Sequence, residues 1–328
     1  MDRMARASER QVEHLRRRLK PRQLELLAAL AGAPSLSAAA KRVHLSQPAA
    51  TKLLKTLSAD LDVALFERVG RVLRPTAAGE ALIFHAVRLT ADLERAQTEL
   101  DAIRSGAAGH AVLGALVAAC HVLVPRALAR LRNEAPGVIV TLLEGTMDEL
   151  MRMLRDGRID LIVGRPDLGE SAIDVVDEPI LEAPLRIVVA PEHPLARARR
   201  INLRQVLEAE WILPPRGTPV RRGVERLFRE LRARPRSAPI ESASIEANVA
   251  LLRERSMVVP LSENVARQYE AIGRVKILNL PPIPQTAPIT MVRLGAIQPA
   301  SAVLALMQCL RVVGSELGAR RGRSSSVF

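Results

Sequence analysis

The stretch SLSAAAKRVHLSQPAATKLLKTLSADL, Ser35 to Leu61, decides the reading of the chain. Ser35-Leu36-Ser37 offers capping hydroxyls to a short helix predicted over Ala38 to Val43. His44-Leu45 makes a tight turn. Ser46 caps a further helix, with Gln47 and Pro48 in its first turn, where proline is tolerated. In this helix Ala50, Leu54, Leu57 and Leu61 recur at steps of four, three and four, a stripe for burial. Gln47, Thr51 and Lys55 share another face, with Lys52 beside them. That face carries hydrogen-bonding groups and cations but no acid, so it can enter a DNA major groove. On its own it also suits an ordinary solvated helix.

Working outward, Pro21 suits the first turn of a preceding helix. Leu24, Leu27, Ala28 and Ala31 follow at helical spacing, and Gly32-Ala33-Pro34 stops it. On the far side, Leu65-Phe66 anchors a core. Arg68 to Arg74 reads as two short strands around Gly70, a wing whose arginines can track phosphates.

These residues carry a resemblance. Ser35 to Ala40, Leu45-Ser46-Gln47-Pro48-Ala49, Leu65-Phe66-Glu67-Arg68 and Pro75-Thr76-Ala77-Ala78-Gly79-Glu80 resemble, in order and spacing, the DNA-binding domain of LysR-type transcriptional regulators. The resemblance implies that Ser46, Gln47, Pro48, Ala49, Thr51 and Lys52 lie against double-stranded promoter DNA, and that Arg68 and Arg71 belong to the wing. The chain departs from the family pattern at Ala50, at Ser58-Ala59-Asp60 and at Arg74-Pro75.

Thr76 can cap a new helix. Leu82, Ala86, Leu89, Leu93, Ala96, Leu100 and Ile103 then alternate steps of four and three, the seam of a coiled coil. About 30 residues of helix span roughly 45 Å. Leu82, Leu89, Leu93 and Leu100 are the dimerisation candidates, and Ser105 to Gly109 ends the helix. Two heads suit palindromic half-sites.

Beyond it, strand and helix signals alternate. Strands are predicted at 111–118, 138–143, 160–163, 185–190, 211–213, 240–242, 257–259 and 289–292. Helices are predicted at 122–133, 147–156, 220–232, 245–255, 263–269 and 300–313. Such alternation predicts an α/β fold of two doubly wound lobes around a ligand cleft. This half resembles the effector domain of the same family, which is similar to periplasmic binding proteins. Leu213 to Pro219, with Val163-Gly164-Arg165, is closest to the branch controlling sugar-binding-protein or aromatic-acid catabolism genes. Cleft residues belong at strand C-termini and helix N-termini. They are Ala119, Cys120 and His121; Thr146; Arg165; Arg216 and Thr218; and Ser244. The hydroxyls also suit plain helix caps, and either arginine also suits an internal ion pair.

The bulk numbers agree. The 328 residues are 48% apolar but only 2% aromatic, so the cores are aliphatic. The formal charge is +13, of which residues 1–75 supply 15 cations against seven acids. Clustered positive charge favours a polyanionic partner. The two cysteines, Cys120 and Cys309, lack metal or disulfide spacing. Met1 to Lys20 has no apolar core and reads as no signal peptide, and no apolar run suggests a membrane span. No hydrolase elbow, phosphate loop or zinc-protease motif occurs.

The expected organisation is a basic extension (1–19), a winged helix-turn-helix (20–75), a linker helix (76–105), a two-lobed effector domain (106–315) and a flexible basic tail (316–328). The expected protein is a cytoplasmic, non-enzymatic regulator without cofactor or metal. It responds to a small-molecule inducer, a carboxylate or a sugar, and works as a homodimer or homotetramer with RNA polymerase as a further partner. The alternatives are a ligand-independent DNA-binding protein, or a small-molecule-binding or enzymatic α/β domain with an accessory helix-turn-helix.

Overall fold

Helix α1 (Pro21–Ala31) starts on a proline, and the Gln23 side chain accepts a 2.8 Å hydrogen bond from the Lys20 N–H. Helix α2 (Leu36–Arg42) begins two residues before the sequence expectation, because Ser35 rather than a later serine is its cap. Helix α3 (Gln47–Asp60) is capped by Ser46. Between α2 and α3 the chain turns at His44, whose φ of 56° is left-handed. Leu26, Leu27, Ala39, Ala40, Ala50, Leu54, Leu57 and Leu65 close one core under the three helices. Leu61, the last residue of the predicted stripe, packs against that core from its edge.

A hairpin follows. Strands β1 (Phe66–Val69) and β2 (Val72–Pro75) are antiparallel, with Val69 opposite Val72 and Gly70 at a φ of 65° in the turn. Helix α4 (Ala77–Arg104) is capped by Thr76, whose hydroxyl accepts from Gly79 N–H and donates to the Ala64 carbonyl. Gly79 sits so close to the Leu65 carbonyl that any Cβ would collide with it.

The structure is a computed structural model that describes residues 18–70, 72–104, 106–165, 174–198, 200–284 and 287–325. It divides into two compact units, residues 1–101 with 155–158, and residues 102–154 with 159–328.

In the second unit, β3 (Gly109–Ala115), β4 (Val138–Glu144) and β5 (Leu161–Gly164) run parallel. Helices α5 (Val117–Cys120), α6 (Leu123–Glu134) and α7 (Met147–Arg155) connect them. Strand β6 (Val175–Leu181) leads to the second lobe, which holds β7 (Leu185–Val189), α8 (Leu203–Leu207), β8 (Glu210–Leu213), α9 (Pro219–Glu230) and β9 (Ser237–Glu241). It continues with α10 (Ile245–Glu254), β10 (Met257–Ser262), α11 (Glu263–Ala271) and β11 (Lys276–Ile277). The chain then returns to the first lobe as β12 (Ile289–Leu294) and α12 (Ser301–Ser325).

The two sheets have the orders β4-β3-β5-β12-β6 and β11-β7-β10-β8-β9. Both are mixed, because β12 runs antiparallel to β5 and β6, and β7 antiparallel to β10. One aliphatic core joins strands of both lobes with α6 and α12.

Three expectations need correction. The tail is not free from residue 316: α12 continues to Ser325, Leu317 is buried in the lobe core, and Glu316 lies 3.1 Å from Arg130. That helix is also long and apolar enough to cross a membrane over Ser301–Ala319, against the expectation of no such run. Its Leu306, Cys309, Leu310 and Val313 are nevertheless buried in the lobe core, which accounts for the apolarity. Third, β6, β11, α5 and α8 went unpredicted, and the strand expected over 111–118 stops at Ala115, with Val117 and Ala118 helical in α5.

Candidate functional site

The first candidate site is the outward face of α3. Burying Ala50, Leu54 and Leu57 turns Gln47, Pro48, Lys52 and Lys55 to the surface, all exposed. Ser46 is exposed, with its Oγ 3.4 Å from the Ala49 N–H. Ala49 and Thr51 are half-buried at the edge of the face. The Thr51 hydroxyl donates to the Gln47 carbonyl at 2.9 Å, so it meets a partner only as an acceptor. Arg68 and Arg74 are exposed on the hairpin, whose Phe66 and Leu73 pack inward. Arg71, the other arginine expected in the wing, lies outside the described residues. Sequence reasoning missed Arg18, which donates to the Asp60 carbonyl at 2.7 Å at the C-terminal end of α3. With carbonyls exposed there, a cation is favourable.

The second candidate site is the cleft end of the lobes, where β3, β4, β5, β8, β9 and β10 all terminate. Thr146, Thr218 and Ser244 are helix caps. Thr146 forms a reciprocal pair with Glu149: its backbone N–H at 2.9 Å, and then its Oγ1 at 2.8 Å, donate to Glu149 Oε2 and hold that carboxyl below its usual range. The Thr218 hydroxyl donates to the Pro215 carbonyl and accepts from Arg221 N–H. Ser244 accepts from Ala247 N–H, and among the described residues no acceptor takes its own proton. Arg216 is 84% exposed, 3.9 Å from Glu241.

Ala119 is fully buried in the lobe core and offers no side chain to the cleft. Arg165 is likewise turned inward, 4% exposed. Its Nε donates to the Ala287 carbonyl at 2.7 Å and its Nη2 to the Ala183 carbonyl at 2.8 Å. Burial lowers its pKa to about 10. A guanidinium held this way is a structural tie rather than an open anion clamp.

Cys120 is half-buried, and burial together with the Glu144 carboxylate pushes its thiol up to about 12. His121 Nδ1 lies 2.9 Å from the Val117 carbonyl, and since a carbonyl only accepts, Nδ1 is the donor. Its ring stands 6.4 Å from that of Tyr269 in the other lobe. The Tyr269 hydroxyl donates to Glu246, and burial with that carboxylate raises the phenol to about 12. Glu144, Glu246 and Tyr269 were not legible as cleft residues, because each is spaced like an ordinary strand or helix position.

Comparison with known proteins matches the two domains that carry these candidate sites. The family model described as "Bacterial regulatory helix-turn-helix protein, lysR family" matches residues 21–80. The "LysR substrate binding domain" matches residues 104–314. The regulator GbpR of Azospirillum brasilense is 34% identical over 80% of this chain and 78% of its own length. The crystal structure of CbnR, a LysR family regulator, has a TM-score of 0.61 at 24% identity, over 90% of this chain and 99% of its own. Full-length CbnR with its target DNA has a TM-score of 0.59 at 23% identity, over 89% and 99%. A helix-turn-helix with a bare cationic face, a linker helix and a two-lobed domain thus come together with matched models over both units, and the chain belongs to the LysR family of DNA-binding transcriptional regulators, a family of regulators and not of enzymes.

Proposed function

We propose that this regulator reads promoter DNA in the cytoplasm as a homodimer, or a pair of homodimers, and is switched by a small hydroxylated ligand of the sugar class. The exposed face of α3 carries the DNA reading. Gln47 and the Thr51 oxygen meet base edges, while Ser46, Lys52, Lys55 and the wing's Arg68 hold phosphates. The exposed leucines of α4 supply the dimer seam. RNA polymerase is then met at the same promoter.

One observation separates the ligand classes. Arg165, the cation best placed by sequence for a carboxylate, is turned onto backbone carbonyls. The described side chains at the strand ends include instead Glu144, Glu246 and the Ser244 hydroxyl. Carboxylates accept hydrogen bonds from ligand hydroxyls and repel a carboxylate ligand. The test is thermal stabilisation of the full-length protein by monosaccharides and by small carboxylates, followed by calorimetry on Glu144→Gln. Stabilisation by a sugar, with affinity about tenfold lower in the variant, supports the reading. Stabilisation by carboxylates alone overturns it.

A further inference from the structure

The effector half is not evenly charged. Residues 76–310 hold 29 cations and 27 acids, yet 12 of those arginines, against four acids, fall within residues 197–236. The rest of that span of chain is acidic, with 17 cations to 23 acids. The densest run, 226–236, has five arginines and one acid.

The fold gathers six of these arginines at one end of the second lobe, while Arg216 and Arg221 lie at the other, beside Glu241. Strands β8, β9 and β10 run parallel and all begin at one end of the second lobe, opposite the cleft. Arg234 and Arg236 lead into β9, Arg229 and Arg232 stand where α9 ends, and Arg204 lies on α8 just before β8. The Arg236 N–H donates to the Leu207 carbonyl, which ties the β9 entry to α8. Arg204, Arg226, Arg229, Arg232, Arg234 and Arg236 are all exposed, and among the described residues no acid pairs with any of them. Of the four acids in this span, Glu225 is engaged with Arg221 and Glu210 with Arg255, which leaves Glu208 and Glu230 beside six arginines.

A second observation is conformational. Arg232 has a φ of 49°, the left-handed position that ends α9, where Ala233 N–H returns to the Phe228 carbonyl. Glycine is the favoured residue at such a helix end. An arginine held there keeps a charge at a backbone position that disfavours it, which is how functional positions reveal themselves. Compensation of the helix dipole explains cations at Arg229 and Arg232 but not at Arg204, Arg234 and Arg236.

We infer that this end of the second lobe is a further polyanion-binding surface, and that its occupant is duplex DNA flanking the site read by the helix-turn-helix. Two arguments favour DNA over an acidic protein. Leu231 is the one large apolar side chain exposed in the described run, whereas protein interfaces rest on buried aromatic or aliphatic anchors. The guanidinium fork also fits phosphate oxygens, and the chain already holds a duplex, so flanking phosphates are at high effective concentration.

The test uses the full-length protein and two duplexes from the region upstream of its own gene, where footprinting first locates the protected segment. One covers only the segment protected by the heads, and the other extends it by several helical turns. The variant is Arg229→Gln/Arg234→Gln/Arg236→Gln. On the long duplex its plot of log K against log salt should be shallower than wild type by about 0.9 for each phosphate that it no longer neutralises. On the short duplex it should match wild type. Arg232→Gly relieves the backbone, so it should raise the thermal midpoint and still flatten the long-duplex slope. That combination cannot come from a damaged fold. Equal slopes for wild type and the triple variant on the long duplex overturn the inference. If the variant keeps those slopes but loses transcription with polymerase, the surface serves an acidic protein and the inference is again overturned.

Discussion

At the scale of single residues, the proposed reading of α3 gives Gln47 and Lys52 separable tasks. Gln47 can both donate to and accept from a base edge, so Gln47→Ala should lower discrimination between operator and mutated operator by about 1–3 kcal/mol. Lys52 offers only charge, so Lys52→Ala should weaken binding to all sequences alike and reduce the salt slope by about 0.9. Binding isotherms at several salt concentrations check both, and two unchanged variants would place the reading face elsewhere. Cys120 is argued from its surroundings in the same way. With the thiol pushed up to about 12, it stays protonated at neutral pH and is a poor nucleophile. Alkylation of Cys120, followed by mass spectrometry, should therefore be slow at pH 7 and accelerate in Glu144→Gln, which removes one cause of the shift. Rapid alkylation of the wild type at neutral pH would contradict the pairing of Cys120 with Glu144.

At the scale of elements, α4 shows what a hydrophobic period can and cannot tell. Its four-three repeat reads as one continuous seam, but the structure divides it. Leu82 and Ala86 pack into the core of their own head, while Leu89, Leu93, Leu100 and Ile103 are 45–68% exposed. Periodicity reports that a face is buried, not what buries it. Leu93→Glu should accordingly leave the protomer's circular dichroism intact and shift sedimentation to the monomer, with loss of tight operator binding. Sedimentation of that variant as the wild-type oligomer would rule out the seam. Capping residues and aliphatic stripes made α1 to α3, the hairpin and most α/β units legible. Strand β6 was not, because its sequence VVDEPIL carries two acids and a proline, and its pairing partner β12 is more than 100 residues away. Strand β11 has two residues and no pattern to read. The cleft was legible as strand ends and caps, but whether Arg165 points outward or inward depends on carbonyls contributed by Ala183 and Ala287.

At the scale of the whole effector unit, those carbonyls lie on the two passages between the lobes. The chain leaves the first lobe between β6 and β7, at Ala183, and re-enters it before β12, at Ala287. Arg165, at the end of β5, donates to both, so one buried side chain ties the two crossings to the first lobe's sheet. A ligand shifts the lobes only by binding one arrangement better than another, and the crossings are where that difference must be transmitted. Arg165→Leu removes two charge-assisted hydrogen bonds and takes the guanidinium from one buried carbonyl, Ala183, and one half-buried carbonyl, Ala287, which should destabilise the protein by about 3 kcal/mol. Arg165→Lys keeps the charge, but a single ammonium cannot reproduce the planar fork that spans two acceptors. It should therefore fall between wild type and Arg165→Leu. Urea unfolding gives the stabilities, and hydrogen exchange of the flanking amides shows whether both crossings loosen together. Were Arg165→Leu to unfold at the wild-type urea midpoint with the crossings still protected, Arg165 would not be the tie, and the lobes would be held by their shared aliphatic core alone.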